Sequence, residues 1–310
     1  MTRYVLMRLI QGVITVWFIA TATFFVMHNI PGNPLQNEKA VSEQVQKKLE
    51  EKYGLDKNVV VQYGIYMGNM IRGDFGLSFK QEERPVNKII AERFPVSAIL
   101  GILAIVIAGM GGVLWGALTA LYRNRWPDVV IIILVILGIS VPSFVFATVG
   151  QLGIVVANRM LGFELLPVAG WGTIWHMLVP ALVLGLGTMA FLTRLMRTSM
   201  LEIVNADYIR TARSKGVPVA QIFAKHQFRN AILPVVTVLG PSIAAITTGG
   251  FVVENVFAIP GLGRTFVEAV QQSDYTVIMG TTVFYGAFLV LMVIIVDLVY
   301  ALIDPRVRLQ

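Results

Sequence analysis

The sequence predicts an all-α polytopic membrane protein with six transmembrane helices, and three observations predict it. The 310 residues are 56% hydrophobic and only 14% charged, against roughly a quarter charged in ordinary soluble domains. Six apolar runs are long enough to cross a bilayer, which takes about 20 residues at a rise of about 1.5 Å each. Lysines and arginines gather in alternate short loops, the asymmetry that orients membrane helices. The net charge of +7 is therefore read as orientation and not as a nucleic-acid surface.

The runs are Leu9–Ile30, Val96–Leu121, Val129–Ala157, Ile174–Leu192, Ala231–Val253 and Met279–Ile303. The first, within residues 1–30, follows Arg3 and Arg8 and passes Ala20-Thr21-Ala22, which resembles a signal-cleavage site. Its apolar stretch continues through Phe24, Phe25, Val26 and Met27, so it reads as an uncleaved membrane helix. One side collects thirteen cations: Arg3, Arg8, Arg123, Arg125, the seven between Arg194 and Arg229, and Arg306 and Arg308. The short loops opposite carry only Arg159 and Arg264. Both termini, including the tail 304–310, are expected to be cytoplasmic.

The segment 31–95 is then extracellular, between the first and second membrane helices. Its ten basic and nine acidic residues nearly cancel. Val41, Val45 and Leu49 recur every four residues on one helical stripe, with Gly54 placed to stop it. A second helix is expected over about Val61–Ile71, and Pro85 suits the first position of a third. The segment reads equally as a surface cap and as a lid or docking surface for a delivery protein.

The core, residues 96–303, holds five membrane helices interrupted by proline and glycine. Pro142, Pro180, Pro234 and Pro241 each remove a backbone donor and mark a kink or boundary. Small residues such as Gly109, Gly111, Gly112, Gly116, Gly185, Gly187, Gly249 and Gly250 let helix backbones approach. Pro234, Pro241, Gly249 and Gly250 are candidates for helix breaks and a pathway. Asp297, within the last run, is a further candidate, although a structural ion pair or hydrogen bond accounts for it more simply than a proton relay. There is no cysteine, no G-x-x-x-x-G-K-[ST] phosphate loop, no H-E-x-x-H and no G-x-S-x-G elbow. The chain is therefore expected to be no enzyme, with no cofactor and no metal of its own.

One basic loop, residues 194–230, stands apart. Asn205 or Asp207 suits a helix start, and Tyr208 to Lys215 propagate it, with Arg210, Arg213 and Lys215 towards its negative end. Gly216 suits the left-handed stop, and Pro218 the first turn of the next helix. Helix, sharp break and helix follow. A basic hairpin held on anionic lipid has the same charge pattern.

The string Asp207-Tyr208-Ile209-Arg210-Thr211-Ala212-Arg213-Ser214-Lys215-Gly216, followed by His226, Arg229-Asn230-Ala231 and Pro234, resembles the coupling loop of ABC-importer permeases of the dipeptide/oligopeptide/nickel family. The oligopeptide branch is the most similar. The resemblance extends through Pro31-Gly32-Asn33-Pro34, Asp74-Phe75-Gly76 with Ser78, and the E-x-x-F-x-x-P-G-x-G turn formed by Glu254, Phe257, Pro260-Gly261 and Gly263. It ends in Asp274 to Gly280 and Asp304-Pro305-Arg306, and so covers essentially the whole chain. Against the broader E-A-A-x-x-x-G pattern, Arg210-Thr211-Ala212 takes the first three positions and Gly216 is kept. The acidic residue is absent, so no ion pair is carried over from it.

The resemblance implies a type I ABC importer permease in a bacterial inner membrane, one of two similar permeases. It implies two cytoplasmic ATPases that bind ATP and Mg and receive the hairpin. It also implies an extracellular or periplasmic binding protein that delivers oligopeptides or dipeptides. Asp207, Arg210, Thr211, Ala212, Arg213, Lys215 and Gly216 would form the ATPase-coupling loop. Membrane lipid is the remaining partner and no nucleic acid is expected. Other cargo for the same importer type comprises nickel chelates, glutathione or another small solute. A secondary carrier acting alone and a non-transporting scaffold are the readings from other classes.

Overall fold

The computed structural model describes residues 2–30, 56–81 and 84–303. The helix expected around Val41, Val45 and Leu49 and the tail 304–310 lie outside the described residues. Those described form α1 (Thr2–Asn29), α2 (Val59–Ile71), α3 (Val86–Leu121), α4 (Trp126–Ser140), α5 (Ser143–Leu161) and α6 (Ile174–Val204). Then follow α7 (Asp207–Ser214), α8 (Val219–Ile222), a π-helical segment (Phe223–Phe228), α9 (Arg229–Gly249), α10 (Phe251–Val256), α11 (Leu262–Gln272) and α12 (Tyr275–Ile303). Among the described residues six helices are long and apolar enough to cross a membrane. Their outer surfaces suit lipid, with Val13, Phe18, Met110 and Val149 largely exposed.

Two elements differ from the sequence reading in their ends. The run Val129–Ala157 is two helices, because Val141 is extended (φ −90°, ψ 127°) and Pro142 (φ −58°, ψ 142°) opens the second. A residue before proline is pushed out of the helical region by the ring, which places the break there. The second membrane helix begins at Val86, immediately after Pro85, and continues through Pro95 without interruption. The third short helix expected at Pro85 and the apolar run from Val96 are thus one element. Helix α2 begins at Val59, where the Asn58 side chain accepts from the Val60 amide at 3.0 Å.

The chain divides into two compact units, one taking residues up to Val96 and Pro260–Ala301, the other Ser97–Ile259. In the first, α1 and α12 run antiparallel, Gly12 facing Val290 and Ile294 while Gly286 faces Ile19. Asp297 lies on this seam, its Oδ2 3.2 Å from Arg8 Nε. The core gathers Phe24, Val86, Ile89, Leu262 and Val277. The turn after α2 is tied to the start of α12 by Asp274, which is buried. Its carboxylate accepts from the Ser78 hydroxyl, from the Phe79 amide at 3.2 Å and from the Val277 amide at 3.3 Å. Asp274 is therefore the N-terminal cap of α12 as well as the anchor of the turn.

In the second unit, α3 and α6 pack backbone to backbone. A Cβ on Gly112 would lie 2.6 Å from Leu192 Cβ, and one on Gly116 2.7 Å from the Thr193 carbonyl. Across the same seam, a Cβ on Gly185 would lie 2.7 Å from the Ala104 carbonyl. Small residues permit this approach, which supplies dispersion contact where lipid gives no hydrophobic drive. Leu192, Met196, Met200, Ala231 and Val235 extend the core from α6 to α9. At the end of the unit, the Gly170 amide donates to the Phe257 carbonyl at 2.8 Å and Gln151 Nε2 to the Val256 carbonyl at 3.1 Å.

Candidate functional site: the basic hairpin

The hairpin is built from the α6 end onward. Helix α6 does not stop where its apolar run stops at Leu192 but continues to Val204, with Asn205 as its C-terminal cap. Ala206 turns extended (φ −68°, ψ 146°) and α7 starts at Asp207. The expected side-chain cap is not formed. Asn205 closes the preceding helix, Ala206 occupies the capping position, and no side chain caps the amides of the first turn. Asp207 instead places its charge in the first turn, favourable against the helix dipole. Its Oδ1 lies 3.7 Å from Arg210 Nη1, both side chains largely in solvent, so the pair adds little stability.

The stop is a complete Schellman motif. The Gly216 amide donates to the Arg213 carbonyl at 3.0 Å and the Val217 amide to the Ala212 carbonyl at 3.2 Å. Gly216 is left-handed, φ +71°, with open space where a side chain would stand. Its requirement for glycine is thus conformational and not steric, since other L-residues pay about 1–2 kcal/mol there. Pro218 (φ −58°, ψ 139°) precedes α8, and its carbonyl accepts from the Gln221 and Ile222 amides at 2.9 and 3.0 Å.

The second arm has no break. From Val219, α8 passes through the π-helical segment into α9, with helical dihedrals at each join. Phe223 and Phe228 of this segment pack on the Leu192–Met196–Val235 core. Two fully buried side chains, Ile209 on α7 and Ile222 on α8, seat the arms. Asn230 Nδ2 donates to the His226 carbonyl at 2.8 Å and to the Tyr208 hydroxyl at 3.3 Å, joining α7 to the start of α9. Arg210, Thr211, Arg213, Lys215 and Gly216 are exposed around the turn, and Ala212 is half-buried. The arrangement is a helical hairpin with a basic tip, carried on two long helices.

Below the hairpin, Arg197 of α6 holds Asp128 of α4 in a two-pronged ion pair, Nε–Oδ1 and Nη2–Oδ2 both 3.0 Å. Asp128 is 2% exposed and also accepts from the Asn124 amide at 2.9 Å. In the sequence alone Arg197 is one of the seven orienting cations of this loop. An acidic residue immediately before an apolar run was the available signal, but its partner lies 69 positions away.

The other candidate residues fall elsewhere. Pro234 and Pro241 both lie inside α9, which is continuous across them and ends at Gly249. Gly250 forms the junction to α10, where an added Cβ would meet Glu254 Oε1 at 3.3 Å. Asp297 belongs to the α1–α12 seam described above, in the other unit. Among the described residues no group of three His, Asp or Glu side chains could hold a metal ion.

The membrane-length helices and the exposed basic hairpin fit the membrane subunit of a transport system. The chain belongs to the family of binding-protein-dependent transport system inner membrane components, which matches residues 112–309. The N-terminal component of the same systems matches residues 1–101. Among its relatives is a dipeptide transport system permease protein of Bacillus subtilis, 45% identical over 310 residues, covering all of this chain and 99% of that protein. A dipeptide transport permease of Lactococcus lactis is 40% identical, covering the whole of both chains. An oligopeptide transport system permease of Haemophilus influenzae is also 40% identical, over 99% of this chain and all of its own.

Proposed function

We propose that this chain is one half of the translocation pathway of an ATP-driven importer of dipeptides or oligopeptides. It works beside a second, homologous permease in a bacterial inner membrane, with both termini and the hairpin cytoplasmic. Two separate ATPases, which bind ATP and Mg, receive the hairpin tip, and an external binding protein delivers the peptide. Selectivity then belongs largely to that binding protein. Full-length similarity to permeases named for dipeptides and for oligopeptides supports the cargo class.

The observation that carries the coupling role is the unbroken second arm. From Val219 a displacement passes through α8 and the π-helical segment into α9 along continuous helix, with only Val217 and Pro218 between it and Gly216. The first arm passes it to α6 across only Asn205 and Ala206. Arg210, Arg213 and Lys215 are placed to meet acidic groups on an ATPase surface. Closure of the ATPases on ATP would move both helices and open the pathway.

The test is uptake of labelled dipeptide by membranes holding the assembled transporter. ATP depletion with the membrane potential maintained should abolish uptake. Continued uptake under those conditions, or flux through the purified chain alone, would identify a secondary carrier instead.

A further inference from the structure

We infer that the groove between α1 and α12 is a phospholipid site, with an acyl chain in the groove and the phosphate at Arg72. The open groove has a volume of about 610 Å³ and is lined by apolar side chains from three helices. Val13 and Trp17 come from α1, Met67 and Ile71 from α2, and Val290 and Leu291 from α12. Both long walls are helices of membrane-crossing length and composition, so the space opens onto hydrocarbon and not onto water. A dry apolar groove in that setting is filled by acyl chains, since neither water nor a polar solute gains anything there.

Helix α2 makes the groove a site with an end. It leans on α1 through paired contacts, His28 Nε2 to Gln62 Oε1 at 2.9 Å and the Tyr63 hydroxyl to Thr21 Oγ1 at 2.8 Å. The Tyr66 ring stacks on Phe24 at 5.5 Å. From Asn58 to Ile71 the sequence has no acidic or basic side chain, while Lys57 and Arg72 flank it. Val60 is 72% exposed, and Ile71, at the edge of the groove, 80%, a pattern suited to lipid. Two of its final carbonyls are closed by the chain itself. Asn69 O accepts from the Arg72 and Asp74 amides at 3.0 and 2.9 Å, and Met70 O from the Gly73 amide at 2.9 Å. Closed carbonyls are what a helix end needs beside hydrocarbon. Arg72 is the C-terminal cap of α2, exposed and next in sequence to the groove-lining Ile71, a permanent cation of the kind that matches a lipid phosphate.

This inference is independent of the transport reading and is testable because the native chain has no cysteine. In the assembled transporter, bimane is attached to single variants Ile71→Cys and Val13→Cys, and nanodiscs are prepared with phosphatidylglycerol brominated in its acyl chains. Both fluorophores should be quenched severalfold relative to unbrominated lipid. Ile71→Cys should also react with a charged maleimide at least tenfold more slowly than Lys80→Cys. Rapid charged labelling of Ile71→Cys without quenching would mean water covers the site and overturn the inference. Slow labelling without quenching would mean a protein partner covers it, and would overturn it too. Separately, Ala287→Phe fills the groove and Arg72→Glu reverses its mouth. Each should reduce the phospholipid retained by the detergent-purified transporter, read by native mass spectrometry. An unchanged lipid count in both variants would also contradict the site.

Discussion

Arg197 and Asp128 meet through two parallel bonds of 3.0 Å, and they do so with unequal burial, the side chains being 24% and 3% exposed respectively. The inequality has a consequence. Arg197→Ala leaves a carboxylate buried without its cation, whereas Asp128→Ala leaves an arginine able to turn towards water. Losing one partner of a buried pair costs about 3–5 kcal/mol when the other stays buried. Arg197→Ala should lie in that range and Asp128→Ala clearly below it. Thermal unfolding of the purified transporter measures both, and equal losses would contradict the asymmetry.

The α3–α6 seam predicts which glycines tolerate alanine. At Gly116 a Cβ would meet Met196 Cβ at 2.6 Å and the Thr193 carbonyl at 2.7 Å, whereas at Gly109 the nearest atom is Leu239 Cδ2 at 3.5 Å. Gly116→Ala should destabilise by about 1–3 kcal/mol through overpacking, while Gly109→Ala should be neutral or slightly stabilising. Yield and melting temperature of the two variants give the comparison.

Asp274 caps α12 and anchors the turn at Ser78. Asp274→Ala removes both, and cap loss alone costs about 0.5–2 kcal/mol. Hydrogen exchange should rise in residues 74–81 and in the first turn of α12, while α6 stays protected. Ser78→Ala should raise exchange in the turn alone.

Ile209 on α7 and Ile222 on α8 are fully buried. Ile209→Ala should cost about 2–5 kcal/mol of local stability through the lost methyl groups and the cavity left. Exchange in α7 should accelerate accordingly. Exchange in the membrane part of α9 should not change.

The architecture was legible because lipid imposes its own code: apolar runs of fixed length, with cations gathered in alternate loops. The hairpin was legible at its turn, where Gly216 and Pro218 leave the chain few alternatives. What composition could not specify was continuity. Pro85 and Pro95 both looked like boundaries, yet only Pro85 is one, because a proline inside a membrane-type helix is carried when neighbouring packing holds the helix. The cap expected from Asn205 or Asp207 failed for a related reason. Helix α6 runs on to Val204 and takes Asn205 as its own end, so the capping position falls to Ala206. Pairs such as Arg197 with Asp128 and Asn230 with Tyr208 depend on tertiary placement and have no local signature.

The proposed coupling role of the hairpin turns on Gly216. Gly216→Val forces a β-branched residue into φ +71°, while Gly216→Asn places there the side chain that best tolerates that region. Peptide uptake and ATP hydrolysis are measured together in proteoliposomes holding the assembled transporter. Gly216→Val should keep hydrolysis but lose at least tenfold in peptide carried per ATP, with Gly216→Asn close to the parent protein. Uptake per ATP unchanged in Gly216→Val would contradict that role.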